Sequence, residues 1–373
     1  MTRENNVCKY SFNPFRQDVP DWDKPEFSFL NSDDMLQFHR SIPGYQPTPL
    51  LSLENLAESL RLKEIFVIDE SHRFGIKAFK ALGASYAIYR FLQRHGGDRE
   101  VSLTFCAATD GNHGKAVAWT ANRLKQKAVI YMPENTARAR IENVEAEGAQ
   151  VVLVPGTFDD CVERCARDAE KTNRQAISDT AYPGYFEIPQ YIMLGYTTIF
   201  REKVIPEVDF VFLPAGVGGL AAAGSSYFVK QYGDKRPTLV CVEPSDCDCF
   251  LESIRFGKGK PLPAKGKQES IMVGLNCGIP SPVAWPVIRD SMDLFLGITD
   301  NYAVEAMRAY YREKVTSGES GASGLAGLLA LLKDDRLQEA RERAGINKHS
   351  RVLLINTEGD TDPENYHKIV GDV

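Results

Sequence analysis

The chain has 373 residues and a net charge of −6, and 43% of its residues are hydrophobic and 25% charged. That length exceeds one ordinary core and points to two domains, while the negative charge argues against nucleic acid or an anionic membrane surface as a partner. No apolar run reaches the length of a membrane span, and the start MTRENNVCKYSFNPF lacks the apolar core of a signal peptide, so the eight cysteines read as reduced thiols of a cytoplasmic protein.

Residues 1–45 read as an irregular arm, rich in Asp, Asn, Phe and Pro, whose Trp22 and phenylalanines need a surface to cover them. Gln46-Pro-Thr-Pro-Leu50 is a proline-restricted extended entry. Leu51–Leu62 has helical periodicity and leads into a strand at Ile65–Glu70, a turn at Gly75 and a helix rich in Ala and Leu that carries Lys80. Further strands are predicted at Leu103–Ala108, Ala128–Met132, Gln150–Val154, Ala176–Ser178, Phe210–Pro214, Thr238–Val242, Leu294–Ile298 and Arg351–Ile355. Helical stretches alternate with them: Gly114–Lys125, Thr136–Glu147, Phe158–Lys171, Gln190–Val204, Leu220–Gln231, Asn301–Ser317 and Ala322–Lys333. This alternation predicts an α/β fold with parallel sheets covered on both faces. The pattern weakens between Glu243 and Ser281, where GKGKPLPAKGK reads as an exposed loop. Cys161/Cys165 and Cys247/Cys249 have the look of zinc pairs but lack a second pair or a nearby histidine, so no metal site is expected.

Ligands of open α/β sheets bind beyond the carboxyl ends of the strands. Lys80 sits near a helix start, between Phe79 and Ala81 and ahead of Gly83 and Ala84. It reads either as an ordinary surface lysine or as a partly desolvated nucleophile with something large lying against the small residues. Lys77 is its competitor. Ala108-Thr-Asp-Gly-Asn-His-Gly114 offers backbone N–H groups at a helix start as a carboxylate or phosphate site, or is a turn capped by Asp110 or Asn112. Pro214-Ala-Gly-Val-Gly-Gly-Leu220 reads as a phosphate cradle without dinucleotide spacing. Asp179, in Ser178-Asp-Thr-Ala-Tyr-Pro-Gly-Tyr185, is a ligand-facing carboxylate or a turn residue, and Asn356 or Thr357 could meet a buried ring nitrogen. An amine, a phosphate cradle and a ring-nitrogen partner at one sheet edge together suggest pyridoxal 5′-phosphate.

With these residues in place the chain resembles the fold-type II pyridoxal-phosphate enzymes, the superfamily of threonine and serine dehydratases, tryptophan synthase β and O-acetylserine sulfhydrylase. Ala78-Phe-Lys-Ala-Leu-Gly-Ala84 is similar to their lysine motif, Thr109-Asp-Gly-Asn-His113 to their S-x-G-N-H loop, Gly216-Val-Gly-Gly219 to their tetraglycine loop and Glu319-Ser-Gly-Ala322 to their E-x-x-G-A signature. The matches run in family order from about residue 46 to 360, with two departures: Asp110 in place of a small residue and Val217 in place of a glycine. One branch, acting on a diamino acid, resembles this chain further in Asp69–Gly75, Asp179–Tyr185 and Thr357–Pro363.

The resemblance implies a large cofactor domain of residues 1–81 and 181–373, a small domain of residues 82–180, and a homodimer. It implies α,β-elimination of D- and L-2,3-diaminopropionate to pyruvate and two ammonia, with a serine/threonine dehydratase or another lyase of β-substituted amino acids as the alternative. Lys80 would hold the cofactor and take the Cα proton, with Asp110 and Asp179 as further catalytic groups that meet the extra ammonium of the substrate. Phe79, Asn112, Gly216, Val217, Gly218, Gly219 and Thr357 would bind the cofactor, and the backbone of Thr109, Asp110, Gly111, Asn112 and His113 the substrate carboxylate. Cys249 and Cys277 flank the exposed loop, and their pairing is open at this stage.

Overall fold

The computed structural model describes residues 7–17, 24, 27–95, 103–109 and 111–371. Among these residues eleven strands form two sheets: β1 (Lys9–Phe12), β2 (Leu50–Ser52), β3 (Glu64–Asp69), β4 (Thr104–Ala108), β5 (Lys127–Pro133), β6 (Gln150–Val154), β7 (Gln175–Ala176), β8 (Phe210–Pro214), β9 (Thr238–Pro244), β10 (Leu294–Ile298) and β11 (Arg351–Asn356). The seven-stranded sheet has the order β1-β10-β9-β8-β11-β3-β2. Its five inner strands are parallel, and β1 and β2 close the two edges in antiparallel pairing. The inner strands Phe-Val-Phe-Leu-Pro of β8 and Leu-Phe-Leu-Gly-Ile of β10 are buried at every position. Continuous apolar runs of this kind are what a parallel sheet covered on both faces requires. The second sheet, β6-β5-β4-β7, is parallel throughout.

Two expectations about the chain before residue 62 need correction. Leu51–Leu62 is not one helix: Leu50–Ser52 pairs with Phe66–Ile68 at the sheet edge, and the helix is only Glu54–Ser59. Edge pairing with a buried neighbour outweighs a weak helical period. The arm is also more ordered than its composition suggests. Lys9–Phe12 adds an antiparallel strand against β10, Met35–Ser41 is helical, and Phe27 and Met35 are fully buried against the body. Trp22 lies outside the described residues. Between Glu243 and Ser281 a short helix, Cys249–Phe256, precedes the loop.

One apolar core joins the two sheets, running through Ile68, Val211 and Leu353 on one side and Phe105 and Ile130 on the other. The helix Lys80–His95 lies within it, burying Ala81, Leu82, Ala84, Ala87 and Ile88. The carboxyl ends of β4, β7, β8 and β11 all open onto one cleft between the sheets, the position topology favours for a ligand.

Candidate active site

Lys80 is delivered to the cleft by a tight arch. Phe74, Gly75 and Lys77 adopt φ of 50°, 76° and 64°, and the arch is held at its base by Arg73, whose guanidinium meets Glu70 at 2.7 Å and Glu202 at 2.6 Å in full burial. Beyond the arch the chain is tied to the end of β11: the Phe79 amide donates to the Thr357 carbonyl at 3.2 Å, and the Gly359 amide to the Lys77 carbonyl at 2.9 Å. Lys77 itself points away and pairs with Asp360 at 2.8 Å on the surface. The ammonium of Lys80 instead donates to Asp179 at 2.7 Å.

Burial alone would discharge both members of this pair. Their mutual attraction outweighs it, holding the Asp179 carboxyl down at about 2, with His113 nearby adding to the effect, and keeping the Lys80 ammonium well above the ordinary lysine value. Lys80 also faces two aromatic rings, with Nζ 5.4 Å from the centroid of Phe79 and 5.9 Å from that of Tyr196. Asp179 is fixed through its loop. The Tyr185 hydroxyl accepts from the Ser178 amide at 2.9 Å and donates to the Ala176 carbonyl at 2.8 Å, and the Ala181 amide donates to the Ser281 hydroxyl at 3.2 Å.

Two helix starts point into the same space, and no described residue caps either with its side chain. Helix Gly219–Tyr232 follows the glycine loop, and none of the amides of Gly216–Gly219 donates to a described residue. Such uncapped N–H groups at the positive end of a long helix fit the phosphate of the implied cofactor. Within the loop only Gly218 needs a left-handed backbone, φ 98°, and a Cβ there would meet Phe250 at 2.4 Å. Val217 has no such demand, so a branched residue fits at the place of a glycine in the tetraglycine loop that this segment resembles.

The second start is helix Asn112–Arg123, entered through Gly111 at φ 147°. The proposed carboxylate set is narrower than the sequence suggests. The Thr109 amide is spent on the Tyr131 carbonyl at 3.0 Å and the Gly111 amide on the Thr109 hydroxyl at 2.9 Å. The amides of Asn112 and His113 have no acceptor among the described residues, and Asp110 lies outside them. The Asn112 side chain donates to Glu358, which in turn accepts from the Ser320 amide at 3.1 Å. His113 donates through Nε2 to the Ile177 carbonyl at 2.7 Å, leaving a buried Nδ1 without a partner, and burial pushes its pKa below the ordinary histidine value.

At the end of β11 the two ring-nitrogen candidates separate. Asn356 is fully buried, with its amide committed to Asp69 at 2.8 Å and the Thr316 carbonyl at 2.9 Å, whereas Thr357 lines the cleft. The cleft brings together Phe79, Lys80, Thr109, Gly111, Asn112, His113, Asp179, Gly216, Val217, Gly218, Gly219 and Thr357. The sequence reading missed Arg140, Tyr196, Cys277, Ser320 and Glu358, which also line it. Glu358 was within reach, as it directly follows Thr357. Nothing local marks Tyr196, the last residue of an apolar helix (Glu187–Tyr196). The 272–277 segment, in the stretch where the sequence pattern weakens, forms part of the cleft wall through Gly274, Leu275 and Cys277. Cys249 and Cys277 form no disulfide, and Cys161 and Cys165 are buried in the small sheet's outer core.

A profile of the family described as pyridoxal-phosphate dependent enzyme matches residues 42–358. Diaminopropionate ammonia-lyase of Salmonella typhimurium (strain LT2) is 36% identical, covering 98% of each chain, and that of Escherichia coli (strain K12) is 37% identical over 93% of this chain and 92% of its own. The crystal structure of the Escherichia coli diaminopropionate ammonia-lyase in complex with its aminoacrylate–PLP azomethine reaction intermediate superposes with a TM-score of 0.87 at 35% identity, covering 98% of this chain and 97% of that one.

Proposed function

The chain belongs to the pyridoxal-phosphate dependent enzymes and, within them, to the diaminopropionate ammonia-lyases, and from that premise we propose that it converts D- and L-2,3-diaminopropionate, with one water, to pyruvate and two ammonia. The observation that carries this reading is the buried Lys80–Asp179 pair at 2.7 Å between two uncapped helix starts.

Pyridoxal phosphate, when bound, supplies the amine-reactive aldehyde and the conjugated ring that draws electrons from the Cα of an attached amino acid. The residues around it divide the remaining work. The Lys80 amine would anchor the cofactor, and the amides of Gly216–Gly219 would hold its phosphate. Phe79, Asn112, whose side chain Glu358 orients, and Thr357 would hold its ring, with Asn112 for the ring oxygen and Thr357 for the ring nitrogen. The amides of Asn112 and His113 hold the substrate carboxylate at the second helix start. Lys80, as a neutral amine, accepts the Cα proton of the L-isomer at Nζ, and Asp110 accepts that of the D-isomer from the opposite face. Asp179 stays ionised at neutral pH, so it can bind the β-ammonium of the substrate and stabilise the Lys80 ammonium that proton transfer creates. The β-amino group leaves as ammonia, and the released enamine hydrolyses in water to pyruvate and the second ammonia.

The same reading includes residues 82–180 as a small domain and residues 1–81 with 181–373 as the large one. In support, all four strands of the smaller sheet fall between residues 104 and 176. It also includes a homodimer in the cytoplasm, which light scattering and fractionation test. Among the described residues no helix is long and apolar enough to cross a membrane. The deciding experiment is product stoichiometry over a panel of amino acids. Two ammonia per pyruvate from diaminopropionate is expected, and one ammonia per keto acid from serine or threonine alone would replace this reading with a dehydratase. Asp110→Asn should lower turnover of the D-isomer by about a hundredfold or more and spare the L-isomer; equal turnover of both by the variant would remove Asp110 from its role.

A further inference from the structure

Tyr196 is buried to 1% exposure, lines the cleft beside Lys80, and has a hydroxyl that meets no hydrogen-bond geometry with any described residue. Its ring is held in a slot made by two glycines. A Cβ on Gly83, one turn beyond Lys80, would come within 2.4 Å of the ring, and one on Gly219, at the phosphate cradle, within 3.4 Å. On a third side the ring meets Phe79 at 4.7 Å between centroids. Phenylalanine would fill this slot as well and would bury no unpaired polar atom, which proteins avoid. The hydroxyl is therefore kept for a partner, and the group that faces it in this structure is the Lys80 amine.

The ionisable groups facing the hydroxyl are Lys80 and Asp179, and His113 and Cys277 line the same cleft. Asp179 is committed to Lys80, and the free Nδ1 of His113 is an acceptor only. Lys80 is the group whose needs change. As a neutral base its nitrogen carries two N–H groups and one lone pair, and both N–H groups must be satisfied for the lone pair to point at a substrate carbon. Asp179 can accept one of them, and a second acceptor is required on the other side.

We propose that the Tyr196 hydroxyl oxygen is that second acceptor, so that Asp179 and Tyr196 together aim the Lys80 lone pair at the Cα hydrogen of the L-isomer. This rests on the assignment of Lys80 as the base for that isomer. No bond to substrate is made or broken by Tyr196. It orients the amine and stabilises the ammonium that forms on it.

The test is Tyr196→Phe in the holoenzyme, which keeps the ring in its slot. Expected are unchanged cofactor content and visible absorbance, an unfolding temperature of the cofactor-free chain at or above that of the parent, and KM within about twofold. Turnover of the L-isomer should fall by about tenfold or more, while that of the D-isomer stays within about twofold, and the acid limb of kcat for the L-isomer should move to lower pH because the ammonium has lost an acceptor. Unchanged L turnover, equal losses on both isomers, or loss of cofactor content would each overturn the proposal. Failure of the functional reading looks different: the unmutated enzyme would then not yield two ammonia per pyruvate from either isomer.

Discussion

Two buried polar regions lie within ten residues of each other in the same segment and are built on opposite principles. Around Arg73 every donor is spent: its five N–H groups reach Glu70, Glu202, Thr48 and the Gln46 carbonyl, and Lys203 adds a second cation beside Glu202. Around Lys80 partners are withheld, with the Tyr196 hydroxyl and His113 Nδ1 unpaired and two helix starts uncapped. The buried histidines repeat the contrast. His39 uses both ring nitrogens, on Thr198 at 2.8 Å and the Leu82 carbonyl at 2.9 Å, while His113 uses one. A satisfied network holds the arch that aims the lysine, and the unsatisfied one is reserved for a ligand.

Substitutions should separate the two regions. Lys80→Ala abolishes turnover and the visible absorbance of the cofactor; because Asp179 keeps 11% exposure to the cleft whereas Glu70 and Glu202 are fully enclosed, it should shift the unfolding temperature of the cofactor-free chain less than a change at Arg73 does, and calorimetry beside an absorbance spectrum checks both. Arg73→Ala leaves Glu70 and Glu202 buried without their main cation and should cost about 3–5 kcal/mol in denaturant unfolding. A cost under about 1 kcal/mol would show that the network is not what supports the arch. Gly218→Ala forces a Cβ against Phe250 in a left-handed backbone and should cost about 1–3 kcal/mol, together with weaker cofactor retention in equilibrium dialysis.

The smallest effect concerns pH. Burial depresses the His39 pKa to about 3 from its ordinary 6.5, so the folded chain holds the neutral ring. Its contribution to stability is fully present above pH 6.5 and is lost as pH falls toward 3. Between pH 6.5 and 5 that amounts to about 2 kcal/mol. His39→Gln should flatten this part of the stability profile, and an unchanged slope would assign it to other groups.

Much of the site is legible in the sequence because its constraints are local. A glycine triplet at a strand-to-helix junction and a lysine among small residues each report the shape of the backbone they occupy. The two edge strands escaped because four and three residues are too short for a period to register, and their partners, β10 and β3, lie elsewhere in the chain. Tyr196 escaped because within its own helix it is one more apolar residue.

By itself the sequence determined the alternating architecture and singled out the lysine and the glycine loop that the cleft brings together, since burial period and backbone permissiveness are written residue by residue. Only the tertiary structure decided which side chain meets which. It joined Lys80 to Asp179 across 99 positions, turned Asn356 inward and Thr357 outward at the end of one strand, and spent the Thr109 and Gly111 amides before any ligand could use them. Those outcomes depend on how two sheets pack around a shared core, and a contact between distant segments leaves no period in either one.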